Sequence, residues 1–276
     1  MRISEARDML LKLGVRAQKS LGQHFLLDEA VIKRQVDYAD IKKGERVLEI
    51  GPGLGFLTSA LIDSGARVIA IETDHKFCQY LRDKFGDKIE LLCADATQID
   101  FPEFDKVVSN IPYNISSEIT FKILEGKFDL AVIMYQKEFA ERLVAGEASA
   151  IYGRLSVMAA YRADCELLEI VPRRAFWPEP KIDSAIVRMK SRPPRFKPKD
   201  ERLFVEVVRV LFSHRRKMIA NALISGAPAL GMSREEMKAL SQEIPYGNER
   251  VEMLTPEEIG EISDFLFDVK SRKNCG

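Results

Sequence analysis

The sequence predicts an α/β fold, an open Rossmann-like sheet followed by a small C-terminal all-helical domain. Three observations carry this. Five short β-rich runs alternate with helical patterns between residues 46 and 135, the rhythm of a parallel sheet covered on both faces. A glycine-rich turn, Glu49-Ile50-Gly51-Pro52-Gly53-Leu54-Gly55, joins the first run to the first helical pattern, the place where such sheets bind ligands. Past residue 200 the β pattern ceases and amphipathic helical patterns take over.

In order, the runs are RVLEIG (46–51), RVIAIE (67–72), IELLC (89–93), KVVS (106–109) and LAVIMY (130–135), with helical patterns at 56–61 and 75–85. ELLEIV (166–171) and SAIVRM (184–189) read as the last two strands, one of them antiparallel, joined by the proline-rich VPRRAFWPEPKID. SRPPRFKPKD (191–200) marks a linker or exposed loop. LFVEVVRVLF, RRKMIANALI, MSREEMKALS and TPEEIGEISDFLF then read as helices, the last with Thr255 as N-cap and Pro256 in first position. The expected division is a catalytic domain at 1–195, with an N-terminal arm at 1–24, and a helical domain at 196–276.

The 276 residues are 46% hydrophobic and 30% charged, enough to bury a full core unaided. No apolar run reaches the ~18 residues of a membrane span, and the N-terminus has no signal-peptide pattern. Cys78, Cys93, Cys165 and Cys275 form no C-x-x-C pair, and there are three histidines. No metal site, no disulfide framework and a reducing cytoplasmic compartment are therefore expected, with a monomer as the default.

The glycine turn has glycines at every second position and an acid two residues before the first, unlike the G-x-G-x-x-G of dinucleotide enzymes. Glu49 would repel a pyrophosphate but can hold an ammonium group or orient the loop. S-adenosylmethionine carries an ammonium and a sulfonium and no phosphate, so charge favours it over NAD. Glu72, ending the second run, is placed for ribose hydroxyls, and Asp95, after the third, for the cofactor adenine amine. Gly51, Gly53 and Gly55 would let the backbone approach the cofactor.

After the fourth run comes Ser109-Asn110-Ile111-Pro112-Tyr113-Asn114. This pattern suits methylation of an exocyclic amine, whose lone pair is delocalised into its base. The Asn110 side-chain oxygen and a nearby backbone carbonyl would accept the amine hydrogens, favouring a tetrahedral nitrogen and a localised lone pair. Tyr113 would stack on a flipped-out base. An aromatic of the Phe176-Trp177 pair, in a loop rigidified by prolines on both sides, could form the opposite face.

At this point the chain resembles the small-subunit rRNA adenine dimethyltransferase family, of the kasugamycin-sensitivity type, over nearly its whole length. The matching pieces are GQHFL (22–26), EIGPGLG, NIPYNIS, QKEFAERLVA (136–145), YGRLSV (152–157), FWPEPKIDSAIV (176–187) and FSHRRKMIANAL (212–223). NIPY alone is shared by several amino methyltransferases; the combination is specific. The resemblance implies a class I S-adenosylmethionine-dependent methyltransferase fold. It implies cofactor contacts from His24, Leu26, Gly51, Glu72, Asp95 and Asn110, with Asn110 bridging to the target and Tyr113 and Phe176 stacking it. Bacterial members carry Asn at the His24 position; His24 and NIPY point to the archaeal branch. The implied substrate is a pair of adjacent adenines near the small-subunit rRNA 3′ end, within a pre-assembled particle late in biogenesis.

Formal net charge is zero, which taken alone argues against nucleic-acid binding. Its distribution is uneven: residues 171–217 hold 14 basic and five acidic side chains, for +9. Arg173, Arg174, Lys181, Arg215, Arg216 and Lys217 are the expected RNA contacts, aided by the basic N-terminal arm. The rivals are a large-subunit rRNA adenine methyltransferase of the antibiotic-resistance type, a non-catalytic assembly factor on the same fold, and an NAD enzyme, which the glycine spacing disfavours.

Overall fold

The computed structural model describes residues 3–14 and 24–274. In chain order the elements are α1 (Ile3–Lys12), β1 (Phe25–Leu26), α2 (Glu29–Tyr38), β2 (Arg46–Ile50), α3 (Phe56–Asp63), β3 (Arg67–Glu72), α4 (His75–Phe85), β4 (Ile89–Cys93), β5 (Lys106–Asn110), α5 (Ser116–Glu125), β6 (Leu130–Gln136) and α6 (Lys137–Leu143). There follow α7 (Arg154–Arg162), β7 (Ala163–Val171), β8 (Phe176–Trp177), β9 (Ser184–Ser191), α8 (Glu201–Phe212), α9 (Ile219–Gly226), α10 (Arg234–Ala239) and α11 (Pro256–Asn274).

Seven strands form one sheet in the order β4-β3-β2-β5-β6-β9-β7. The five predicted runs are its parallel part, and β9 returns antiparallel against β6 over Leu130↔Lys190 to Gln136↔Ser184. The central strands are buried along most of their length, with apolar centres, because helices cover both faces. Val31, Ile32 and Val36 of α2, Leu57 and Leu61 of α3, and Leu81 and Phe85 of α4 share a buried cluster with Val47, Val68, Val108 and Val132 of the sheet. Order reverses between β2 and β5, which is the topological switch point. There the Cα register runs through Leu48↔Val107. Beyond it the Ser109 hydroxyl substitutes for the ladder, donating to Ile50 O (2.7 Å) and accepting from Ile50 N–H (3.2 Å).

The chain packs into two compact units whose limits differ from the expected boundary near residue 195. One unit takes residues up to Ala140 with Asp164–Ser191; the other takes Glu141–Ala163 with Arg192 onward. The cause is α7, whose apolar face completes the helical unit: Tyr161 packs on Phe196 and Phe204, and the Tyr152 hydroxyl donates to Leu254 O (2.9 Å). Within that unit Thr255 and Glu258 cap α11 reciprocally, as its sequence predicts. The basic Arg215-Arg216-Lys217, by contrast, lies in a turn and not on a helix: Met218 is extended and bridges Arg250, so α9 begins only at Ile219.

The expectation that the cysteines stay apart is corrected. Cys78 of α4 and Cys93 at the end of β4 form a disulfide, because α4 packs along β4 and brings their Cα atoms to 6.0 Å; Cys165 is not disulfide-bonded and Cys275 lies outside the described residues. Closing a loop with 15 residues of sequence separation contributes about 3 kcal/mol in the chain-entropy model. Reduction, or a Cys78→Ala/Cys93→Ala double substitution, is expected to lower the thermal midpoint by several degrees by differential scanning fluorimetry. Intact-mass measurement should show one disulfide lost on reduction.

Candidate active site

The carboxyl ends of β2, β3, β4 and β5 converge on a cavity of about 270 Å³. Of the expected residues, His24, Leu26, Glu49, Gly51, Gly53, Glu72, Asp95, Asn110, Tyr113 and Phe176 all line it. Gly55 does not. It is the left-handed N-cap of α3 (φ 73°), and a Cβ there would stand 2.6 Å from the Phe85 ring; its lack of a side chain serves helix packing. Gly51, also left-handed, faces the NIPY turn, where a Cβ would meet Pro112 at 3.2 Å. The glycine turn and the NIPY turn therefore close on each other at the switch point.

Three carboxylates line one side of the cavity. Glu49 is 2% exposed and accepts from the Thr58 hydroxyl at 2.7 Å. Burial pushes its carboxyl up to about 8, the Thr58 hydrogen bond opposes this, Glu72 adds to the rise and the Lys84 charge counters it. Glu72 is buried too, and its oxygens accept from Gly53 N–H (3.1 Å), Thr73 N–H (2.9 Å) and Asp74 N–H (3.0 Å). It thus holds the glycine turn as well as facing the cavity. Burial raises its pKa against those three donors. Asp95 is exposed and accepts from the Thr97 amide and hydroxyl, which hold its carboxyl below the usual range.

On the opposite side Asn110 ends β5, and its side-chain oxygen is buried without a hydrogen-bond partner among the described residues. A buried acceptor left open is costly, and this one lines the cavity beside Tyr113 and Phe176. Tyr113 is anchored through its hydroxyl to Ser184 Oγ at 2.7 Å. Phe176 sits on β8, which pairs antiparallel with β1 in the register Phe25↔Trp177 and Leu26↔Phe176. This miniature sheet ties the Leu26 side of the cavity to the Phe176 loop. His24 belongs to that junction: its ring stacks on Tyr113 (centroids 5.6 Å, 29°), and its Nδ1 lies 2.6 Å from Pro178 O. A carbonyl only accepts, so Nδ1 carries the hydrogen. Ser109, whose hydroxyl replaces the β2–β5 ladder, and Gln35 of α2, which donates to Ser109 O at 3.2 Å, support Asn110 from behind. Neither is visible in the sequence beyond Ser109 being the neighbour of Asn110.

The expected RNA contacts are unequal. Arg174, Lys181 and Arg216 are exposed, with side chains that have no partner among the described residues. Lys217 reaches only Ser225, at 3.1 Å. Arg173 pairs with Glu179 at 2.8 Å. Arg215 is committed within the helical unit: it binds Glu252 (3.1 Å) and the carbonyls of Ala150 (2.9 Å) and Ser149 (3.4 Å). Of the basic arm, Arg2, Arg16 and Lys19 lie outside the described residues, as do Gly22 and Gln23 of the GQHFL motif. Among the described residues no helix is long and apolar enough to cross a membrane.

Comparison with known proteins fits this geometry. Residues 14–267 match the family model for ribosomal RNA adenine dimethylase. A probable ribosomal RNA small subunit methyltransferase A of Methanosarcina mazei is 42% identical, covering 96% of this chain and 98% of its own. A similarly named protein of Pyrococcus furiosus is 42% identical, covering 93% and 94%. Among solved structures, a dimethyladenosine transferase from Plasmodium falciparum superposes with TM-score 0.74 at 26% identity, covering 90% of this chain and 98% of its own. The 23S rRNA methyltransferase ErmE superposes with TM-score 0.65 at 30% identity, covering 88% and 99%. With a family model spanning most of its length and relatives at this identity, the chain belongs to the ribosomal RNA adenine dimethylase family.

Proposed function

We propose that this chain uses S-adenosylmethionine to dimethylate the exocyclic amines of two adjacent adenines near the 3′ end of small-subunit rRNA. It acts as a cytoplasmic monomer on a pre-assembled small subunit. The observation that carries the reading is the open Asn110 acceptor in a cavity walled by Tyr113 and Phe176. The 42%-identical relatives favour the small subunit over the large one as target.

The cavity suits the cofactor: among the described residues, carboxylates and no Lys or Arg line it, matching a ligand with an ammonium and a sulfonium and without phosphate. When bound, S-adenosylmethionine supplies the electrophilic methyl. Glu49 receives the ammonium, Glu72 the ribose hydroxyls and Asp95 the adenine amine, with His24, Leu26, Gly51 and Gly53 forming the wall. Asn110 Oδ1 and a neighbouring backbone carbonyl accept the two hydrogens of the target amine. This localises the lone pair on nitrogen and stabilises the charge that develops there. Tyr113 and Phe176 clamp the flipped base between them, and the Ser184 bond fixes the tyrosine's angle. Arg174, Lys181, Arg216 and Lys217 offer cations to the rRNA backbone.

Removing the Asn110 acceptor should lower kcat by about 10² to 10³. Labelled methyl transfer to small-subunit particles lacking the modification measures this, and equal incorporation by Asn110→Ala and the unmodified chain overturns the mechanism. Tyr113→Ala should lose about 1–3 kcal/mol of base stacking, read as a raised KM for the particle. Tyr113→Phe keeps the ring and should stay within about fivefold. Lys181→Ala and Arg216→Ala should each reduce the slope of log binding constant against log salt by about one. Arg215→Ala should leave that slope unchanged and lower the thermal midpoint instead.

A further inference from the structure

The glycine turn has few side chains of its own to hold it, yet three of its residues adopt left-handed conformations. It is pinned by opposite charges from two other elements. Glu72 takes the Gly53 N–H, and the ammonium of Lys84, on the last turn of α4, donates to Leu54 O at 3.0 Å. That ammonium sits among three aromatic rings, 4.9 Å from the centroid of Phe85, 5.4 Å from Tyr80 and 5.5 Å from Phe56. Cation–π attraction offsets part of its desolvation. Sequence reading gives Lys84 no role, and it does not line the cavity.

We propose that Lys84 is a positioning residue for cofactor binding: it fixes the glycine turn through Leu54 O and supplies the positive charge beside Glu49. This rests on the reading that Glu49 receives the cofactor ammonium. The groups acting on Glu49 are the Thr58 hydroxyl, the Glu72 carboxylate and Lys84 itself. Burial lowers the Lys84 pKa and Glu49 opposes that, so each charge favours the other. Because burial raises Glu49 to about 8, its carboxylate form grows as pH rises. Cofactor affinity should therefore climb with pH until Glu49 has lost its proton, and fall only when the ligand ammonium loses its own.

The test is calorimetric titration of the full chain with S-adenosylhomocysteine, which carries the same ammonium, between about pH 6 and pH 9. Lys84→Met fills the aromatic cage without charge or donor. It should weaken binding at neutral pH by about tenfold and move the rising limb to higher pH. Lys84→Arg should keep the limb in place. Lys84→Gln retains a donor for Leu54 O without the charge, so it should still move the limb; an unmoved limb in a folded Lys84→Gln protein overturns the electrostatic role. Unchanged affinity and limb in Lys84→Met overturn the proposal altogether. Glu49→Gln separates the underlying reading. It should flatten the rising limb, and a Glu49→Gln protein with the original pH profile sinks the Glu49 assignment whatever the Lys84 variants do.

Discussion

Where β2 and β5 part, the backbone of Ile50 loses its neighbouring strand, and the Ser109 hydroxyl meets both its N–H and its C=O. Buried backbone groups left unpaired would cost about 1–3 kcal/mol each, so the sheet can open only where such a substitute exists. The cavity lies just past that opening. The glycine turn leaves β2 on one side and Asn110 ends β5 on the other, one residue beyond the serine. A sheet zipped to its end would leave no crevice. One that splayed without the hydroxyl would strand polar groups in the core.

The two sides of the crevice are built on opposite electrostatic terms. One side gathers carboxylates and satisfies them with hydrogen bonds: a hydroxyl for Glu49, three amides for Glu72, a turn for Asp95. The other withholds a hydrogen bond, leaving the Asn110 oxygen open among the described residues. A satisfied carboxylate holds the turn whether or not ligand is present. An unsatisfied amide is a standing preference for a donor, and an exocyclic amine offers two. The β1–β8 pairing joins the sides, because Leu26 and Phe176, both lining the cavity, are register partners.

The parts legible in the sequence are those set by local pattern. Buried parallel strands read as continuous apolar runs, and EIGPGLG and NIPY announce a strand-end site because glycine, proline and asparagine have few alternative uses in that order. What escaped depends on packing between distant segments. Two-residue strands such as Phe25–Leu26 and Phe176–Trp177 carry no periodicity. Gly55 looks like its cavity-lining neighbours, yet answers to Phe85 of α4. The Arg215 turn resembles a helix start until Met218 is seen bridging Arg250. The cysteines obey no short motif because α4 and β4, not sequence spacing, bring them together.

The interleaving of the two units has a consequence for how the chain can be cut and made. It crosses between them after Ala140, after Ala163 and after Ser191, so neither unit is a continuous stretch. A fragment ending near residue 195 would hold the whole sheet but carry α7 with Leu155, Val157, Met158 and Tyr161 deprived of the helices that bury them. Such an exposed apolar helix invites aggregation. During synthesis the same dependence sets a schedule: β9 can take its place in the sheet once residue 191 has emerged, while α7 must wait for α8 and α11 from the far end of the chain.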